Sequence, residues 1–378
     1  MRIAIDARYL GEEFSGIGVY SQNLVEALAR EETTHEFVVF VHKDFHDKLD
    51  VGDNFEVVSE RARPVSIRTV ATMQDAFRRH DIDLLHSLFP LVPFAWRKKL
   101  LLHVHDLQPL LDPDFTGNRS PWLRFLYDSF YQFSYPAALR HADYIASDSF
   151  ATKASIRRLL PECGEKTLVV YGGVPAEARE VPSEDFINQT RKKYDLPQRF
   201  IFYIGSTRPN KNLLNMLEAF EDYTRKKPED EDLIWVMVVN QDRFFEPIFA
   251  RIRERGLLGR VRILEQISEA EKVAFYRMAS LLYFVTKFEG FGLPVLEAQA
   301  QSLPVLASTH SALPEVAGRA AILVDADEPD EITAGLERFF SDPDLRTKMI
   351  ETGLENVKRF TWQKTAKDVL AMYDHLFT

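Results

Sequence analysis

Cysteine is nearly absent: the chain of 378 residues has one, Cys163. That excludes an internal disulfide and a cysteine metal cluster, and it fits a reducing cytosol. Long uncharged apolar runs are missing as well, so no stretch approaches the roughly 18 residues that a membrane-spanning helix needs. The opening stretch Met1-Arg2-Ile3-Ala4-Ile5-Asp6 lacks the pattern of a signal peptide and runs straight into a strand. Positive charge is in deficit, with 47 lysines and arginines against 57 aspartates and glutamates, a formal charge of −10. This balance speaks against general nucleic-acid binding while leaving room for a local basic site. Short-period repeats and low-complexity tracts are also lacking.

What remains is the composition of an ordinary globular protein, 46% hydrophobic and 28% charged. The length suits two domains, each with a core of its own. Apolar runs predict strands at Arg2 to Asp6, Glu36 to His42, Leu84 to Ser87, Leu100 to His105, Tyr144 to Ser147 and Thr167 to Tyr171. A polar stretch from Pro175 to Pro197 then reads as an interdomain link. Six further strands follow, beginning near Phe200, Leu233, Arg260, Leu281, Pro304 and Ala321. Helical stretches between them make this an α/β chain with two parallel sheets, covered by helices on both faces. Ligands of such sheets bind at the carboxyl ends of the strands.

Several segments fall at those ends. Phe288-Glu289-Gly290-Phe291-Gly292-Leu293-Pro294-Val295-Leu296-Glu297 follows a buried strand with a glycine loop and a helix start. Amide N–H groups and the positive end of a helix suit a phosphate, whereas Glu289 and Glu297 suit sugar hydroxyls. Phe14-Ser15-Gly16-Ile17-Gly18-Val19-Tyr20 is a second glycine loop entering a helix, open between a plain turn and a ligand loop. His105-Asp106-Leu107-Gln108-Pro109 closes a strand; His105 is either a structural histidine or a hydrogen-bonding site residue, and Asp106 could set its orientation. Ser206-Thr207-Arg208-Pro209-Asn210-Lys211-Asn212 puts two cations near a helix N-terminus, where the dipole favours anions. A negative partner is therefore expected, and Arg208 with Lys211 suits a diphosphate. Ser268-Glu269-Ala270-Glu271 is a capping box.

Taken together, F-E-G-F-G-L-P-V-L-E-A, the Pro304 to Ser308 strand, Leu313-Pro314-Glu315-Val316 and R-x-x-K-N resemble the retaining glycosyltransferases of family 4. The resemblance implies a GT-B fold, two doubly wound Rossmann-like domains with an interdomain cleft. Residues 1–175 would form the acceptor-side domain, joined by a final helix of about 361–378 that crosses back, and residues 176–360 the nucleotide-sugar domain. It implies that His105, Arg208, Lys211 and Glu289 form the catalytic set, with His105 contacting the donor sugar and assisting the departing phosphate. It assigns donor binding to Gly16, Gly18, Ser206, Gln266, Ile267, Gly290, Phe291, Gly292, Leu293 and Glu297. Among these, Gly16 and Gly18 cover the diphosphate, Gln266 and Ile267 hold the base, and Glu297 binds the ribose. His86 corresponds to an acceptor-side position. V-H-D-L-x-P resembles mannose-transferring members, so GDP-mannose is the expected donor and a glycan or lipid-linked sugar the acceptor. No cofactor and no metal are implied.

The chain departs from the family pattern at Gln299 and Ser302, at Gly172 in place of an asparagine, and at Val239-Asn240, which lacks a glycine. D-x-D, the mark of metal-dependent transferases, occurs five times, as chance allows in an acidic chain. A sugar-nucleotide epimerase and a non-catalytic binding subunit are the other readings. Pro93 to Lys99 and Pro121 to Phe125 mix aromatics with cations; packing on the first domain is the simpler reading, contact with the inner face of a membrane the other.

Overall fold

The computed structural model of the protein describes residues 1–10, 16–112, 115–117 and 119–378, with residues 46–48 described through their backbone alone. The chain divides into two units, Met1–Gly173 with Phe360–Thr378, and Val174–Arg359.

In the first unit, apolar segments rich in valine, isoleucine, leucine and phenylalanine form seven strands among the described residues. They are β1 (Arg2–Asp6), β2 (Glu36–His42), β3 (Phe55–Glu60), β4 (Leu84–Ser87), β5 (Lys99–Val104), β6 (Tyr144–Ser147) and β7 (Thr167–Val169). All pair in parallel, in the order β3-β2-β1-β4-β5-β6-β7. One face of the sheet packs a cluster with Phe40, Phe77, Trp96 and Leu139, the other a cluster with Tyr20, Leu24, Phe37 and Tyr373. Tyr20, Leu24, Ala27 and Leu28, spaced for one helical stripe, are all buried on the Gly16–Ala29 helix.

The second unit repeats the scheme with β8 (Phe200–Gly205), β9 (Ile234–Val239), β10 (Val261–Leu264), β11 (Leu281–Phe284), β12 (Val305–Ser308) and β13 (Ala321–Val324). Its order is β10-β9-β8-β11-β12-β13, again parallel throughout. Both sheets thus run in the doubly wound order, whose direction reverses between the first and fourth strands. That reversal opens a crevice beside the carboxyl ends of β1 and β4 in one unit, and of β8 and β11 in the other. Sequence periodicity missed β3, a half-exposed edge strand with Glu56 and Glu60 interrupting its apolar residues.

The Trp362–His375 helix belongs to the first unit. Trp362 packs edge-on against Tyr20 at 5.0 Å, Tyr373 bonds to His86, and Thr365 Oγ1 donates to the Tyr171 carbonyl. Gly173 is indispensable to this packing: a Cβ there would lie 2.3 Å from the Trp362 nitrogen.

Candidate active site

In the second unit, the cationic loop leaves β8 and the glycine loop leaves β11, the two strands that flank the reversal. The fold therefore sets them side by side. Arg208 is exposed at the start of the Pro209–Lys211 turn, and its carbonyl accepts a hydrogen bond from the Lys211 N–H. Lys211 Nζ lies 2.6 Å from Glu289 Oε1, with both side chains largely buried. The negative partner expected of the cations thus includes a side chain of the protein itself. The ammonium also lies 5.8 Å from the centre of the Phe284 ring.

Two asparagines of the cationic loop, to which the motif assigns no role, fix this pairing. Asn210 Nδ2 donates to the Phe288 carbonyl, and Asn212 Nδ2 donates to the carbonyls of Val285 and Ala326. Asn212 itself adopts the left-handed conformation, with φ of 61°, which asparagine tolerates better than most residues. Ser206 offers its carbonyl to the Tyr203 hydroxyl, and Ser311 Oγ donates to the Glu289 carbonyl.

Beyond Glu289 the chain passes Gly290 and the buried Phe291 to Gly292, which precedes the Leu293–Ala300 helix with φ of +110°. Pro294 takes the first turn, where its missing N–H costs nothing. Glu297, one turn further, is only 4% exposed. Lys272 Nζ donates to its Oε1 at 3.0 Å and Tyr276 Oη to its Oε2 at 2.8 Å. Lys272 and Tyr276 are four apart on the Glu269–Met278 helix, so they share one face. Burial works against the charge of Lys272, but Glu297 and then Glu269 outweigh it and raise the pKa of its ammonium. Sequence spacing held this signal in Lys272 and Tyr276, without saying what they faced. Gln266 is exposed and Ile267 half-buried ahead of that helix, which opens with the expected capping box.

In the first unit, Gly16 and Gly18 lie in the first turn of the Gly16–Ala29 helix, the former exposed, the latter buried. Phe14 and Ser15, the preceding part of that motif, fall outside the described residues. At the end of β1, a buried Arg8 holds both carboxylate oxygens of Asp6 at 2.7 Å and also reaches the Ala62 carbonyl. His105, following β5, is 8% exposed. Its ring Nδ1 meets Asp148 Oδ2 at 2.6 Å and its Nε2 the Leu88 carbonyl at 2.9 Å. The carboxylate that orients His105 is thus Asp148 and not Asp106, whose side chain accepts from the Gln108 N–H. His86 is fully buried against Tyr373, so it has no face to offer an acceptor. Burial, then His103 and His105, lowers its pKa.

Two groups among the described residues have the donor atoms to hold a metal. His310, Asp325 and Asp327 are partly exposed, and Lys287 Nζ already sits 2.5 Å from Asp327. In the buried His103, His105 and Asp148 group the N···O separations are 2.6 Å. Ligands on a shared tetrahedral metal stand about 3.3 Å apart, so these contacts are hydrogen bonds.

Residues 186–356 match the family described as Glycosyl transferases group 1, and residues 14–178 that described as Glycosyltransferase Family 4. The chain is 33% identical over 396 residues to a D-inositol 3-phosphate glycosyltransferase of Corynebacterium urealyticum, covering 96% of this chain and 91% of that one. It belongs to glycosyltransferase family 4. An O-antigen chain mannosyltransferase B of Escherichia coli is 23% identical over 392 residues, covering 99% of each chain. Among solved GT-B structures, Anabaena HepE in complex with UDP-glucose superimposes with a TM-score of 0.73 at 14% identity, over 99% of this chain and 100% of that one. The two parallel α/β units of this family 4 member are thus the halves of a GT-B glycosyltransferase.

Proposed function

We propose that this glycosyltransferase moves a hexose, mannose from GDP-mannose, onto a hydroxyl of a glycan or lipid-linked acceptor, with retention at the anomeric carbon. The observation that carries the reading is the placing of Lys211 beside Glu289 and the glycine loop, at the reversal point of the second sheet. Arg208 and Lys211 meet the diphosphate, with the N–H groups of residues 290–293 and the start of the Leu293–Ala300 helix. Charge builds on that group as the glycosidic bond breaks, and preorganised donors act where charge develops. Glu289 binds hydroxyls of the transferred sugar, Glu297 the ribose, and the backbone at Gln266 and Ile267 the base. Ser206, Gly16 and Gly18 complete the donor contacts, and His105 meets the donor sugar. The acceptor attacks from the face that the diphosphate leaves, a phosphate oxygen taking its proton. No metal is needed, because cations and amides supply the positive charge.

Mannose is favoured by the likeness to a mannosyltransferase over nearly the full chain. Thermal shift across GDP, UDP and ADP and their sugars tests the donor, since a ligand of the folded state raises the melting temperature. GDP and GDP-mannose should give the largest shift, and transfer should persist in EDTA. A larger shift with UDP-sugars would replace the base, and no shift with any nucleoside diphosphate would end the reading.

The acceptor is reached at the inner face of the membrane. No helix among the described residues is long and apolar enough to cross it. The Pro121–His141 helix, however, leaves Trp122, Leu123, Phe125, Leu126 and Phe133 exposed, with Phe94 stacked edge-on against Phe133. Arg97, which donates to the Phe94 carbonyl, and Arg119, which lies over the Tyr127 ring, add local positive charge beside these aromatics, which suits an anionic lipid surface although the whole chain carries −10. Trp122→Ser with Phe125→Ser should abolish sedimentation with phosphatidylglycerol vesicles. Unchanged sedimentation, or equal binding to phosphatidylcholine, would refute the contact.

A further inference from the structure

Asp148 follows β6, one position past its Val104↔Ser147 pair with β5, and stands beside two histidines, His103 in β5 and His105 just past its end. His103 and His105 are two apart, so their rings project from one face of the sheet and stack at 4.8 Å. One oxygen of Asp148 meets His103 Nε2 and the other His105 Nδ1, both at 2.6 Å. Asp148 is 3% exposed and His103 wholly buried.

Proton counting follows from the partners. The Leu88 carbonyl can only accept, so His105 Nε2 must carry a hydrogen. An ionised Asp148 also only accepts, so His105 Nδ1 carries one too. A ring that donates at both nitrogens is an imidazolium. His103 Nε2 donates to the second oxygen, while its Nδ1 is buried without a partner. His103 is therefore the neutral tautomer, and the trio holds one positive and one negative charge.

We propose that Asp148, braced by His103, is a positioning residue that keeps His105 a doubly donating imidazolium, a fixed positive charge at the end of β5. This rests on the reading that His105 meets the donor. His105 then assists departure of the diphosphate by its field, both of its N–H groups being held by Asp148 and the Leu88 carbonyl, and not by transferring a proton. The groups facing the ring agree. Asp148 and the neighbouring Asp106 favour its charge; His103, stacked on the ring at 4.8 Å, Tyr20, edge-on at 4.9 Å, and His86, which packs on the His103 ring, bring no anion. Burial disfavours the charge, yet Asp148 with these hydrogen bonds outweighs it and raises the pKa of His105. Burial likewise opposes ionisation of Asp148, but His105 and His103 pull its carboxyl down to about 2. For His103 burial prevails and its pKa is lowered.

Nitrogen NMR of histidine-labelled protein tests this, with the His105 signal assigned by its loss in His105→Gln. Both ring nitrogens should show imidazolium shifts at pH 7, and the titration midpoint should lie above the ordinary value of about 6.5. In Asp148→Asn the proton affinity of His105 should fall at least tenfold, and transfer, slowed at pH 7, should recover as the pH is lowered. His103→Gln, which can still donate to the carboxylate, should retain the charge. A neutral His105 in the wild type, or an unchanged midpoint in Asp148→Asn, overturns the proposal. Should Asp148→Asn fail to fold, the wild-type spectrum decides. Nucleotide binding is measured separately: its absence with His105 still charged would sink the donor reading and leave this one standing.

Discussion

Lys211 and Glu289, 78 residues apart in sequence, form a 2.6 Å ion pair between loops that leave adjacent strands. A cation so placed has its position fixed before a diphosphate arrives, which is what transition-state stabilisation requires. Lys211→Ala should lower kcat about 100- to 1000-fold, roughly 2.7 to 4 kcal/mol, as for other preorganised donors. Glu289→Gln should retain the loop geometry and lose turnover, whereas Glu289→Ala should also weaken donor binding. Steady-state kinetics with the preferred sugar nucleotide would check both, and a Lys211→Ala enzyme of normal kcat would contradict the assignment.

Glu297 has a structural burden besides any contact with ribose. Removing it leaves the buried Lys272 with Glu269 alone, whose side chain is 69% exposed. Breaking a buried pair from one side typically costs about 3 to 5 kcal/mol, and Glu269 holds the loss near the lower figure. Urea denaturation should show Glu297→Ala less stable than Glu297→Ala combined with Lys272→Met. Equal midpoints would mean that the ammonium finds water.

Gly292 is held at φ of +110°, and a Cβ there would lie 2.8 Å from Leu313 Cδ2. Gly292→Ala should cost about 1 to 3 kcal/mol in backbone strain. The strained loop should also bind nucleoside diphosphates less tightly, measurable by calorimetry. Full stability and affinity would show that the turn can relax.

Acid should act on the second unit through Glu271. Burial opposes its charge, but Lys193 and then the Ser268 N–H and hydroxyl bring its pKa down to about 2. A depressed carboxyl stabilises the folded state above its unfolded value of about 4.3 and loses that contribution as pH falls toward the folded one. Melting temperature should therefore drop between about pH 4 and 2, less steeply in Glu271→Gln. Parallel curves for the two proteins would assign the acid sensitivity elsewhere.

The fold was largely legible because its strands are short, apolar and separated by helical periodicity. Leu281 to Phe284 and Val305 to Ser308 stand out without any partner being known. β3 escaped, since an edge strand needs only half its residues apolar. The cationic loop and the two glutamates of the glycine segment were visible as residue types at strand ends. Their partners were not: Lys272 for Glu297 and Asp148 for His105 are brought near only when strands and helices pack. Asp106 was the obvious neighbour of His105 in sequence, yet successive residues point to opposite sides of an extended segment. Aromatics beside cations were equally ambiguous, for Trp96 is 2% exposed and Trp122 67%.

Because Phe360–Thr378 pack with Met1–Gly173, the first unit lacks one wall until those residues have left the ribosome. Until then Tyr20 and His86 have neither Trp362 nor Tyr373 to cover them. The intervening 174–359 segment has all its strands by then, so on the ribosome the later-encoded lobe can mature before the earlier one, reversing the usual amino-terminal-first sequence of events.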